Sequence, residues 1–215
     1  MTSEIKPLKV YTHGGSGPNP YKVVILLNEL GLPYEDIKIS NPKEESFVKI
    51  NPNGRVPAIE DPNTGLTIWE SGAILEYIVE TYDKENKVGA TNTADKWALK
   101  QLLHFQMSGQ GPYFGQAVWF QKFDKEAPSA TERYNEQLLR VLGVVDNLLE
   151  GKEYFVGGKL TYVDIAFYPW SRIVSLPNYF LTTIWEKYEV EKTYPNFVAW
   201  FKRISALPSV QKAYA

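Results

Sequence analysis

Three short stretches carry most of the reactive polarity in the first third of this chain. In "YTHGGSGPNPYK" (11–22), Asn19 stands between two prolines where an apolar run gives way to a long helical pattern. A helix start presents outward N–H groups and partial positive charge, which favour an anion or a thiolate, and Asn19 is the strongest polar group there. Its plainer reading is an N-cap with Pro20 at the first helical position, and the two roles can coexist. The glycines fit no phosphate cradle. Pro20 occupies the place of the third glycine of a dinucleotide fingerprint, and no Gly-Lys-Ser/Thr leads into the helix.

The second stretch, "NPNGRVPAI" (51–59), sets Arg55, Val56 and Pro57 at the start of a strand. Proline is tolerated there as a first strand residue or in a cis turn. A cis bond would aim the Val56 backbone outward, leaving its N–H and C=O to pair with an extended peptide. The third, "IWESGAILEY" (68–77), puts Glu70 and Ser71 at another helix start. A ligand carboxylate suits the hydroxyl and the helix N–H groups, and Glu70 suits an α-ammonium, so the pair fits the amino-acid end of a ligand. Capping alone is the simpler role for Ser71.

Alternating runs position these stretches. Strand-like "LKVYT" (8–12) precedes a helix so apolar that it must be mostly buried (19–31, Gly31 as C-cap), then a strand at 34–39 and a short helical piece near 44–50. Strands at 56–61 and 66–70 flank the turn Pro62–Gly65, and a helix spans 71–82. The order is βαβ, then ββα. From about residue 92 the pattern is helical throughout, and the polar segment 83–92 suits a linker. Ser129–Glu132 and Thr161–Asp164 have capping-box spacing. The expected architecture is an α/β N-terminal domain over 1–86 and an all-α domain over 92–215.

Composition narrows the chemistry. The 215 residues include no cysteine and two histidines, His13 and His104, which excludes thiolate nucleophiles and disulfides and leaves no metal set. A net charge of -2 without a basic block argues against nucleic acid or an anionic membrane as partner. No apolar run reaches spanning length and the first residues lack a signal-peptide layout, so a cytoplasmic protein is expected. Tyr11 reads as a packed strand residue, His13 as a loop residue and His104 as a structural histidine within an apolar helix.

Together "PNPYK", "NPNGRVPAI", "WESGAILEY" and "GKLTYVDIAFYPW" resemble the cytosolic glutathione transferase superfamily, with a thioredoxin-like first domain and an all-helical second domain. "SGPNPYKV", "GRVPA", "FQMSGQGPYFGQ" and "ERYNEQLLRVLGVVDNLLE" are most similar to the fungal transferases related to the yeast nitrogen-catabolite regulator, and next to the bacterial nu class. The resemblance implies glutathione as co-substrate. Glu70 and Ser71 would hold its γ-glutamyl end, Val56 would pair with the cysteinyl backbone, Arg55 would lie near the ligand and Asn19 would face the sulfur. Lys43 would replace the histidine or glutamine that reaches the glycyl carboxylate in related chains. Gly17 stands where nu-class relatives can carry a threonine, so thiol activation would rest on Asn19, backbone N–H groups and the helix end, with Ser16 in reserve.

The implied activity is conjugation of glutathione to a small electrophile, or glutathione-dependent disulfide or peroxide reduction, in a homodimeric detoxification enzyme. The alternative is a glutathione-binding regulatory protein with little turnover. The second substrate would sit between the domains beside 105–120, where Tyr113, Trp119 and Phe120 could line an apolar pocket and Gly109, Gly111, Pro112 and Gly115 invite a kink. Met107 and Gln110 would face the partner subunit.

Overall fold

A computed structural model describes residues 5–15, 17–175 and 182–215. The chain divides into two compact units, 1–87 with 207–215, and 88–206. The first unit runs β1 (Leu8–Thr12), α1 (Pro18–Leu30), β2 (Tyr34–Lys38), α2 (Glu45–Val48), β3 (Ala58–Asp61), β4 (Leu66–Trp69) and α3 (Ser71–Tyr82). The βαβ-ββα order expected from the periodicity is present. The sheet order is β2-β1-β3-β4, with β1 parallel to β2 and antiparallel to β3, and β3 antiparallel to β4.

The apolar run of α1 is buried as its composition requires, with Val23, Ile25, Leu26 and Leu27 at zero exposure beside Ile74, Leu75 and Ile78 of α3. A second cluster joins Tyr11, Phe47 of α2 and Ala58, with Ile37, Ile39, Ile50 and Val56 packed against it. A short C-terminal helix, Pro208–Tyr214, completes this unit: Tyr214 stacks on Tyr21 at 4.1 Å, and Asn28 Nδ2 donates to Ser209 O at 3.2 Å. Residues 207–215, expected with the helical domain, therefore group with the sheet, because their partners lie on α1.

The second unit comprises α4 (Thr93–Phe105), a π-helical turn (Gln106–Gln110), α5 (Gly111–Lys122), α6 (Pro128–Leu148), α7 (Tyr162–Ser175), α8 (Thr182–Lys187), α9 (Val190–Thr193) and α10 (Pro195–Ser205); Pro208–Tyr214 of the first unit is then α11. Asn92 caps α4, its Oδ1 accepting from Asp95 N at 2.8 Å. One half of the Thr161–Asp164 box forms: the buried Asp164 carboxylate accepts from Thr161 N, and also from Thr161 Oγ1, Phe155 N and Trp200 Nε1, at 2.7–3.2 Å. The Ser129 box does not. Pro128 opens α6 with Ala127 as N-cap, which puts Ser129 already inside the first turn.

The kink expected in 105–120 takes the form of the π-helical turn. Gln106 and Gln110 are buried in it, and Gln110 Nε2 donates to Phe167 O and Ser171 Oγ at 3.2 and 3.1 Å. Gln110 is thus an internal tie between helices of this unit, contrary to the surface role expected for it. His104 is exposed rather than enclosed, its carbonyl accepting from Ser108 Oγ at 2.8 Å.

Candidate functional site

The three polar stretches converge in the first unit. A cavity of about 90 Å³ is lined by Asn19 from α1, by Asn51, Arg55, Val56 and Pro57 ahead of β3, and by Glu70 and Ser71 at the start of α3. That volume takes the end group of a ligand, not a whole tripeptide. A larger cavity of about 360 Å³, bounded by His13, Tyr21, Lys38 and Tyr214 among others, contains none of the site residues named from the sequence. The smaller one gathers Asn19, Arg55, Val56, Glu70 and Ser71.

The start of α1 differs from expectation in a way that bears on reactivity. Gly17 is the N-cap, Pro18 the first helical residue, Asn19 the second and Pro20 the third, so Asn19 lies inside the first turn and does not cap. Two prolines remove two of the N–H donors that a helix start normally offers. Anion stabilisation there falls mainly on Asn19. A Cβ at Gly17 would meet the far end of the half-buried His13 ring, so a threonine at this position would have to turn that ring aside. Ser16 lies outside the described residues.

The loop 51–57 is held from within. Asn51, buried, donates from Nδ2 to Arg55 O at 2.6 Å and accepts from Asn53 N at 3.0 Å. Gly54 has φ +58 and a Cβ there would stand 2.9 Å from Pro42 O, so glycine is required on both counts. The Val56–Pro57 bond is cis. Among the described residues, no hydrogen bond engages the Val56 N–H or C=O, which lie just outside the β3 ladder that begins at Ala58. Arg55 is exposed at the rim. Lys43, also exposed, donates from Nζ to Asn53 O at 3.1 Å and is not among the residues bounding the cavity.

At α3 the N-cap is Glu70 and not Ser71. Glu70 has φ 71 and ψ 115, a conformation a non-glycine residue adopts at a cost of about 1–3 kcal/mol, and such costs concentrate at binding sites. Ser71, 2% exposed, is the first helical residue, and the N–H groups of the first turn point out of the same helix end. Beneath it lies a residue that the sequence pattern does not single out. Lys22, 1% exposed and one turn beyond Asn19, donates from Nζ to Ser71 Oγ at 3.2 Å. Burial pushes its ammonium down to about 7, against the opposing pull of the Glu70 carboxylate. Asn51 is a second such residue. The signals that could have found them were a single charge inside the apolar run of α1 and an Asn-Pro-Asn-Gly turn.

Tyr11 is removed from any such chemistry. Its hydroxyl donates to Glu60 Oε2 at 2.8 Å, and burial together with that carboxylate raises its pKa. In the helical unit, Tyr113 lies under the Arg140 guanidinium at 5.7 Å and Phe120 stacks on Tyr134 at 5.4 Å, both against α6. Trp119 is 53% exposed and pairs with Phe123. Within this unit the three aromatics do not share one cavity: Tyr113 and Phe120, seven residues apart, lie on one helix face, and Trp119 on another.

Residues 6–80 match the family model described as glutathione S-transferase, N-terminal domain, and residues 111–208 match that for the C-terminal domain. A glutathione S-transferase-like protein of Aspergillus fumigatus is 45% identical over 99% of this chain and 96% of its own. The glutathione transferase URE2P6 of Phanerochaete chrysosporium, solved in complex with oxidized glutathione, superposes with a TM-score of 0.89 at 41% identity, over 97% of this chain and 95% of that one. Ure2p5 of the same organism, cocrystallized with 1-(S-glutathionyl)-2,4-dinitrobenzene, gives 0.86 at 39% identity, over 99% and 94%. The chain therefore belongs to the glutathione S-transferase family.

Proposed function

We propose that this protein is a glutathione transferase whose glutathione site centres on the cavity between α1, the loop before β3 and the start of α3, the γ-glutamyl end inside it and the rest of the tripeptide along its rim. The observation that carries the reading is the convergence, in one small cavity, of an amino-acid-end subsite (Glu70, Ser71), a backbone edge suited to an extended peptide (Val56) and an amide donor (Asn19). In this reading Glu70 pairs with the γ-glutamyl ammonium, and Ser71 with the α3 N–H groups takes its carboxylate. The N–H and C=O of Val56 pair with the cysteinyl backbone. Arg55 contributes positive charge at the rim, and Lys43 reaches the glycyl carboxylate only by leaving Asn53 O.

Asn19 Nδ2 donates to the sulfur. A thiol near its ordinary pKa of about 8.5 is mostly protonated at neutral pH, and a drop of about two units needs about 2.7 kcal/mol of preference for the thiolate. In conjugation the thiolate forms a carbon–sulfur bond as the electrophile loses its leaving group, and the thiol proton passes to solvent. In reduction the thiolate attacks a disulfide sulfur, one S–S bond replaces another, and the released thiolate takes up the proton. The chain has no cysteine of its own, so every reacting sulfur comes from a ligand.

We further propose that the protein acts as a cytoplasmic, homodimeric detoxification enzyme on small electrophiles or disulfides, with the exposed Trp119, and not Tyr113 or Phe120, which are engaged against α6, toward the second substrate; these points rest on the family resemblance. The test is a turnover panel with chlorodinitrobenzene, a glutathionyl mixed disulfide and an organic hydroperoxide. Turnover with any of them is expected. Glutathione binding without turnover would leave the regulatory role, and no binding would end both.

A further inference from the structure

Burying an ammonium costs several kcal/mol unless it is well partnered, and Lys22 lies in the run Pro20–Leu27, otherwise apolar apart from the Tyr21 hydroxyl. Its geometry points at the site. Nζ is 3.2 Å from Ser71 Oγ with both side chains buried, and Ser71 bounds the cavity, so the charge stands one hydroxyl away from the place a ligand carboxylate would take. An ammonium has no lone pair. It can only donate to Ser71, which turns the serine O–H away from it; a neutral amine can accept that proton and reverse the hydroxyl.

We propose that Lys22 is a positioning residue of the glutathione site, whose ammonium fixes the Ser71 hydroxyl as a donor toward the γ-glutamyl carboxylate and supplies buried positive charge behind it. The inference rests on the glutathione site described above and adds to it a dependence of affinity on the protonation of one lysine.

The surroundings of Lys22 make that dependence specific. Glu70 of α3 is the carboxylate that pulls its pKa upward. Among other titratable groups on the elements packed against α1, Lys9 and Tyr11 of β1 bond to Glu60, Tyr77 and Tyr82 of α3 donate to Asp61, Tyr214 of α11 stacks on Tyr21, and Lys212 lines the larger cavity beside Tyr21. An arriving carboxylate favours the ammonium and raises the Lys22 pKa from its empty-site value of about 7. Affinity is therefore full below the empty-site value and falls as pH rises toward the liganded one. If the ligand raises the pKa by about one unit, the dissociation constant grows about fivefold between about pH 5.5 and about pH 8, and binding near pH 7.5 takes up about half a proton.

The experiment is calorimetric titration of the whole protein with S-methylglutathione, whose sulfur does not titrate, across that pH range and in buffers of different ionisation enthalpy. The wild type is expected to weaken about fivefold and to take up protons on binding. An analogue with γ-aminobutyrate in place of the γ-glutamyl residue, lacking the α-carboxylate, is expected to bind weakly with no pH slope. Lys22→Met should bind S-methylglutathione weakly at every pH, and Lys22→Arg should recover affinity without the slope, since guanidinium stays charged.

The wild-type profile, the proton uptake and the analogue need no variant to fold. A flat wild-type profile without proton uptake overturns the role of Lys22 while leaving the site intact, as does a wild-type slope retained in Lys22→Met. Absence of S-methylglutathione binding at any pH overturns the site and the inference together.

Discussion

Replacing Asn19 by alanine removes one side-chain amide from a helix start that Pro18 and Pro20 have already stripped of two backbone donors. A hydrogen bond to a charged group is worth about 1.5–3 kcal/mol, which corresponds to about one to two pKa units on a thiolate that accepts it. With so few neighbouring donors to compensate, the upper half of that range is expected. The assay is the ultraviolet absorbance of the bound glutathione thiolate, titrated against pH in wild type and Asn19→Ala. Affinity for S-methylglutathione serves as the control.

The thiol pKa should rise by about two units while S-methylglutathione binding changes by less than about twofold. Because Asn19 is the second helical residue and not the cap, thermal stability should not show the loss of about 1 kcal/mol that follows removal of an N-cap. An unchanged thiol pKa would refute the argument. Equal loss of S-methylglutathione affinity would also do so, since Asn19 would then be holding the peptide and not the sulfur.

Ser71→Ala should weaken glutathione binding about tenfold or more, read by calorimetry, because a hydroxyl donor to a carboxylate is lost; unchanged affinity would reassign the γ-glutamyl end. Gly17→Thr should lower stability by about 1 kcal/mol or less in denaturant melts, because its Cβ must turn the half-buried His13 ring aside. Adding His13→Ala should restore most of that loss, and strict additivity of the two changes would show that the ring is not the obstacle. Asp164→Ala leaves four donors from Thr161, Phe155 and Trp200 without their shared acceptor, and a loss of about 3 kcal/mol or more is expected in the same melts.

Where one periodicity dominated, the sequence was readable: the alternation in β1 and the apolar run of α1 specify a buried strand and helix, and 71–82 is α3 residue for residue. Starts of helices were less legible, because a proline in the first turn outcompetes a neighbouring side-chain cap. Pro18 moved the start of α1 ahead of Asn19, and Pro128 moved that of α6 ahead of Ser129. Of the site, Asn19, Arg55, Val56, Glu70 and Ser71 could be named from spacing and resemblance, and one cavity gathers all five.

The roles of Lys22, Asn51 and Gln110 were illegible for a common reason. Each is a polar residue buried by partners distant in sequence or internal to a turn, and polarity alone reads as exposure. The docking of α11 on α1 was hidden for a similar reason, since seven amphipathic residues do not disclose which helix they will meet.

The π-helical turn at Gln106–Gln110 also sets the rotational register of everything after it in α5. A π turn holds about one residue more than an α turn, and so takes up the rotation of about 100° that the surplus residue would impose on a regular helix. Tyr113 and Phe120 face α6 only with this surplus taken up. If the same residues wound as a regular α turn, everything beyond would be turned by about 100° and Phe120 and Tyr113 would leave Tyr134 and Arg140, whereas excising one residue from 106–110 would let the turn close as α with that facing kept. Five residues thus act as an indexing step, and the aromatic face that α5 presents is chosen by how they wind before it is chosen by their identity.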